Sequence, residues 1–118
     1  MESKHSITPD YTDIWRNSLG QYHREAGPAV EYVSGTKAWY LFGQLHREDG
    51  PAIEYVNGDK LWYVNGKLHR EDGPTVELAN GDKEWWVNGI RYTTEKRYWF
   101  KIYDMGLITK EELFLKLL

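Results

Sequence analysis

The stretch HREDGPAIEYVNGDKLWYVNGKL at residues 46–68 decides the fold, because it recurs on both sides. HREAGPAVEYVSGTKAWYLFGQL precedes it at 23–45, and HREDGPTVELANGDKEWWVNGIR follows at 69–91. The central segment is identical to each neighbour at 15 of 23 positions, without a gap. Self-similarity at a fixed period is the mark of a tandem array in which each unit buries its apolar residues against the next. A partial unit opens at Trp15, where IWRNSLGQYHRE matches AWYLFGQLHRE with one extra residue in the turn. The chain therefore divides into an N-terminal segment 1–14, a repeat region 15–91 and a C-terminal segment 92–118. The repeat region holds the partial unit 15–22 and the units 23–45, 46–68 and 69–91.

Within a unit, Asn57-Gly58 and Asn65-Gly66 each suit a two-residue type I′ hairpin, since both positions need positive φ. Asn80-Gly81 and Asn88-Gly89 repeat the signal. Between the turns lie PAIEYV, DKLWYV and KLHRE, which have the length and the aromatic, β-branched content of strands. Asp49-Gly50-Pro51 and Asp72-Gly73-Pro74 turn the chain again, with proline at a strand's first residue. The expected fold is mainly β, a single-layer antiparallel meander with a short helical cap. Two-residue loops would pair Val56 with Asp59, Ile53 with Trp62 and Trp62 with His69. One face would then carry Ile53, Tyr55, Trp62, Val64, His69 and Glu71, and the other Ala52, Glu54, Leu61, Tyr63, Leu68 and Arg70. A sheet with apolar groups on both faces must be covered, coiled or paired.

After Asn88-Gly89 the period is lost. Thr94 can cap a helix over 95–104, with Tyr98, Trp99, Ile102 and Tyr103 at helical spacing and Gly106 ending it. Thr109 and Glu112 form a capping-box pattern ahead of Leu113 and Phe114. Two short helices covering the last strand or one face are expected.

The 118 residues include no cysteine, which excludes disulfides, cysteine-ligated metals and thiol nucleophiles. With 15 Lys+Arg against 18 Asp+Glu the formal charge is −3, which argues against general nucleic-acid binding. Residues 1–90 hold 9 basic and 14 acidic side chains, while 91–118 hold 6 and 4. This asymmetry suits a solubilised repeat surface, or an acidic face steering toward a basic protein. No apolar run approaches the ~18 residues of a membrane span and no signal peptide opens the chain, so a soluble, cytoplasmic protein is expected.

His23, His46 and His69 are each followed two residues later by Glu25, Glu48 or Glu71. If each unit gave three strands at about 4.8 Å, equivalent histidines would lie roughly 14 Å apart, too far to share an ion. The expected roles are structural. Histidine would pack on the cross-strand tryptophan (Trp39, Trp62, Trp85), and Arg24, Arg47 and Arg70 would pair with neighbouring acids, Arg70 standing in line with Leu61 and Glu54. None of the phosphate-loop, dinucleotide, zinc-protease, nucleophile-elbow or EF-hand motifs is present, so neither enzyme activity nor a cofactor is expected. The ring row Tyr40, Tyr63 and Trp86, together with Phe42 in the aberrant first unit, makes candidate partner contacts. Lys96, Arg97, Trp99 and Lys101 of the basic C-terminal helix are further candidates. Rings of this kind can also stack bases or a nucleotide.

LHREDGPAIEYVNGDKLWYVNGKLHREDGP resembles tandem MORN-like repeats of the kind found in bacteriophage and giant-virus proteins, over about residues 15–91. Ala26, Ser34 and Phe42 in the first unit depart from the pattern. The resemblance implies hairpin sheets that act as scaffolds or dimerisation modules. With no catalytic constellation, the expected function is non-enzymatic protein binding. A phage-type accessory protein would bind and inhibit a host protein, such as a CRISPR-type defence effector, in the host cytoplasm. The alternatives are a sponge for a nucleotide signal and a structural homodimer module.

Overall fold

The structure, a computed structural model, describes residues 3–118. Its strands are β1 Lys4–Ile7, β2 Asp13–Arg16, β3 Val30–Glu31, β4 Lys37–Ala38, β5 Tyr40–Leu41, β6 Gln44–Leu45, β7 Ile53–Glu54, β8 Lys60–Leu61, β9 Tyr63–Val64, β10 Lys67–Leu68, β11 Val76–Glu77, β12 Lys83–Val87 and β13 Ile90–Tyr92. Helices α1 Glu95–Asp104 and α2 Lys110–Leu117 complete the chain. Nine strands form one antiparallel sheet in the order β1-β2-β3-β4-β7-β8-β11-β12-β13, and the hairpins β5-β6 and β9-β10 stand beside it. The molecule is mainly β and elongated, 51 × 32 × 20 Å. Strand β1 lies in the segment before the repeats, where the sequence reading assigns no element.

The meander differs from expectation at the tryptophan of the first two full units, whereas β12 runs unbroken through Trp85. The run Lys37–Leu41 divides at Trp39, whose amide donates to the Ala52 carbonyl at 2.7 Å and whose carbonyl accepts from His46 at 3.0 Å. Trp62 does the same with Thr75 and His69. The first half of the run pairs in the main sheet and the second half in a hairpin. Beside the break, the Ala52 amide donates to Leu61 although Leu61 is in register with Ile53, so two residues oppose one in a β-bulge that bends the chain. The hairpins are linked edge to edge, through Gly43 to Tyr22, Gly66 to Leu45 and Gly89 to Leu68, all at 2.8–2.9 Å. A full unit thus gives two strands to each of two rows of pairing, which puts the repeat distance near 10 Å rather than 14 Å.

The register also differs at the first turn of each unit, Ser34-Gly35, Asn57-Gly58 and Asn80-Gly81. Asn65 and Gly66 have φ of 51° and 77°, as a type I′ turn requires. At Asn57-Gly58 only Gly58 has positive φ, and Tyr55 closes on Asp59 at 2.9 Å, so the loop has three residues. Asn57 serves through its side chain, accepting the Asp59 amide at 3.0 Å. Ile53 accordingly pairs with Leu61, not with Trp62. A slip of one residue changes which side chains share a face. The consequence is a sorted sheet. Ile53 and Tyr55 lie with Leu61 and Tyr63, while Glu54 aligns with Lys60.

The helices form where the sequence places them. The Thr94 hydroxyl accepts the Arg97 amide at 3.2 Å, and Thr109 and Glu112 complete a capping box at 3.1 Å in each direction. Tyr98, Trp99 and Ile102 of α1 pack with Val87 and Leu113 into the largest apolar core, against Trp85 and Tyr92. Tyr98 is fully buried and its hydroxyl donates to the Arg70 carbonyl. Burial pushes the Tyr98 phenol well above its ordinary value of 10.0. Because the folded state resists ionisation that the unfolded chain undergoes near ~10, this stability is complete below pH ~10 and is lost as pH rises beyond it. The thermal midpoint should fall steadily above pH 10, and Tyr98→Phe should flatten that fall. A wild-type midpoint that stays level to pH 12 would contradict the assignment.

Candidate binding faces of the sheet

The corrected register places unlike chemistry on the two faces. Cross-strand pairing aligns Glu31, Lys37, Glu54, Lys60, Glu77 and Lys83 in one row of alternating charge. On the same side each tryptophan is covered by a guanidinium one unit later. Arg24, Arg47 and Arg70 stand 3.8–3.9 Å over Trp15, Trp39 and Trp62. Each arginine also donates to a proline carbonyl, Pro28, Pro51 or Pro74, at 2.9–3.2 Å. Each faces a glutamate of its own unit, so Arg70 pairs with Glu77 and Arg47 with Glu54, correcting the expected alignment of Arg70 with Glu54. At the end of the array α1 takes the arginine's place, and Trp85 packs on Tyr98 at 5.0 Å and Trp99 at 6.2 Å. The helices therefore cover the tryptophan face at its C-terminal end.

The histidines, expected from the sequence to pack on the indoles, instead each sit beneath the hairpin turn of their own unit. Nδ1 of His23, His46 and His69 accepts the amide of Phe42, Asn65 and Asn88 at 2.9–3.0 Å. An Nδ1 that accepts leaves the proton on Nε2, which faces Glu25, Glu48 and Glu71 at 3.6, 3.5 and 2.8 Å. Each ring thereby ties the end of one hairpin to the turn of the following hairpin. Among the described residues no group of three or more His, Asp or Glu side chains is arranged to hold a metal ion.

The opposite face is aromatic and bare. Tyr32, Ala38, Tyr40, Ile53 and Tyr55 line one shallow depression, and Tyr22 meets Tyr40 edge-on at 5.2 Å. Tyr40 pairs with Leu45, Tyr63 with Leu68 and Trp86 with Arg91, so these rings follow one another along the hairpin row. Burial raises the Tyr40 and Tyr63 phenols above their ordinary value, and the neighbouring phenols Tyr32, Tyr22, Tyr55 and Tyr63 add to the effect at Tyr40. Tyr32 and Tyr55 remain 47% and 43% exposed.

Of the candidate contacts, Tyr40, Tyr63 and Trp86 share this open face. Phe42 lies in the turn, 52% exposed with φ at 49°, a strained value for a bulky residue, and its ring rests on His23 at 4.4 Å. Lys96 and Arg97 are exposed on α1, and Lys101 is half-buried. Trp99 is corrected: it is only 4% exposed, packed beneath α2 with Lys116 above its ring, and offers no contact surface. Tyr22, Tyr32 and Tyr55 belong to the face and were missed. The recurrence of Tyr32 and Tyr55 at one period was their signal. No helix among the described residues is long and apolar enough to cross a membrane. Comparison of the chain with protein-family models, curated proteins and solved structures finds no match.

Proposed function

We propose that the chain is a non-enzymatic protein-binding module whose contact surface is the tyrosine face. In the viral setting that its repeat resemblance implies, it engages and inhibits a host protein, such as a defence effector, in the host cytoplasm. The observation that carries the reading is a run of exposed and half-buried rings on a side the helices leave open. Tyrosine brings large contact area at small entropic cost and a hydroxyl for orientation, which is why it is enriched in interfaces. Strands held by turns, bulges and arginine clamps present those rings already organised, which lowers the cost of association.

The test immobilises the full chain and exposes it to bacterial lysate, comparing wild type with Tyr40→Lys/Tyr63→Lys and with Glu48→Lys/Asp49→Lys on the opposite side. A stable complex lost in the first variant and kept in the second is expected. Capture that ignores both variants removes the tyrosine face from the function. A chain that binds only itself is a dimerisation module, and quenching of its fluorescence by cyclic nucleotides makes it a nucleotide sponge; either outcome overturns the proposal.

A further inference from the structure

The tyrosine face has a shape as well as a composition. Val30, Ala38, Ile53, Leu61 and Val76 are mutually in register and form a low floor across the strands. Tyr32 and Tyr55 rise on one side of it, two residues along their strands. Tyr40 and Tyr63 rise on the other. With Val30 opposite Ala38, the two walls are separated by four residue rises, about 13 Å. The result is a shallow groove running perpendicular to the strands, with a tyrosine pair in each of the first two full units and Leu78 and Trp86 at the equivalent positions of the third.

Its repeat distance selects a ligand. Two strands per unit give about 9.6 Å. A left-handed polyproline helix rises ~3.1 Å per residue with three residues per turn, about 9.3 Å. Successive turns of such a segment fall on successive tyrosine pairs with almost no accumulated mismatch. Charge agrees with this. Arg16 and Arg91 end the hairpin row and Glu84 closes the floor, while the alternating Glu–Lys row lies on the other side. Between those charged ends the groove is lined by neutral side chains and matches an uncharged ligand, since a lysine or glutamate laid there would lose water without gaining a counter-ion. A polyproline segment also leaves its carbonyls without internal hydrogen bonds, ready to accept from phenol hydroxyls.

We infer that the tyrosine groove binds an uncharged, proline-rich segment of the partner in the polyproline conformation, with a proline at every third residue. This rests on the proposed protein-binding role and names the chemistry of its partner. The test titrates the full chain with a twelve-residue peptide of four Ala-Pro-Pro triplets, and with a control in which a glycine after each triplet changes the period to four. Trp86, the one tryptophan of the six on this face, reports by fluorescence.

Saturable binding by the triplet peptide is expected, with at least tenfold weaker binding of the control. Tyr55→Ser should lose a similar factor while its circular dichroism stays unchanged. Equal binding of both peptides, or none at about 1 mM, overturns the inference. So does tighter binding by an amphipathic helical peptide. If the lysate complex is still lost in Tyr40→Lys/Tyr63→Lys while the peptide fails to bind, only the polyproline ligand falls. If that complex ignores the substitutions, the protein-binding role of the face falls with it.

Discussion

Replacing Tyr98 by alanine should cost about 3–5 kcal/mol, the range for removing a buried aromatic ring from a packed core. The side chain is fully buried, contacts Trp85 at 5.0 Å and Trp99 at 4.9 Å, and fastens α1 to the array through the Arg70 carbonyl. The Gly73 amide approaches the same hydroxyl at 3.4 Å, so the phenol joins the last Asp-Gly-Pro loop to the cap. Tyr98→Phe keeps the ring and loses the hydroxyl, and should cost about 1–2 kcal/mol. Because units of an array stabilise mainly their neighbours, the loss should be local. Hydrogen exchange should accelerate at Val87 and Tyr92 and stay slow at Val30 and Ala38. Denaturant unfolding gives the magnitude. A change below ~1 kcal/mol in Tyr98→Ala would show that the cap does not depend on this residue.

The helices and both caps are legible because each rests on local chemistry. Thr94, Thr109 with Glu112, and Gly106 act on backbone groups within a few residues. The faces are not legible in the same way, since one residue's difference in loop length decides them. Asn57-Gly58 and Asn65-Gly66 are the same dipeptide, yet one forms a three-residue loop and the other a two-residue turn. What distinguishes them is supplied by residues distant in the sequence. Ala79, in the next unit, donates its amide to Asp59 beside the first turn at 2.8 Å, and the amide of Asn65 is claimed by His46 from nineteen residues away. Lys37–Leu41 likewise reads as one strand, and its division at Trp39 depends on the bulge in the following unit. The ring row Tyr40, Tyr63 and Trp86 was legible from the period alone. The groove was not, because it exists only once Tyr55 joins Tyr63 on the same side.

Arg70→Ala should destabilise the chain by about 3 kcal/mol, and Arg70→Lys should recover little of it. Asp72 is 83% exposed in its side chain, so its ion pair at 2.8 Å adds no more than an ordinary surface pair. The weight lies in the contacts away from water. The guanidinium sits 3.9 Å over the Trp62 ring and donates at 2.9 Å to the Pro74 carbonyl. A desolvated cation–π contact is worth ~1–2 kcal/mol and a charge-assisted bond to a shielded carbonyl ~1.5–3 kcal/mol. Lysine has no planar fork to stack and donate at once. The loop is shaped to this group, because a Cβ on Gly73 would stand 2.9 Å from the guanidinium carbon. Gly73→Ala should therefore reproduce part of the loss by displacing an arginine it does not replace. The first unit supplies an internal control. Arg24 has Ala26 where the later units have aspartate, and its glutamate is at 3.8 Å rather than 3.2 Å. Arg24→Ala should cost clearly less than Arg47→Ala or Arg70→Ala. Equal losses at all three sites would mean that the arginines contribute only their packing on the indole, the one contact that all three make at the same distance within 0.1 Å. Graded losses would make each arginine a clamp that ties the Asp-Gly-Pro loop to the previous unit's tryptophan. By holding that side of the sheet closed, the clamps keep the tyrosine groove in register from one unit to the next.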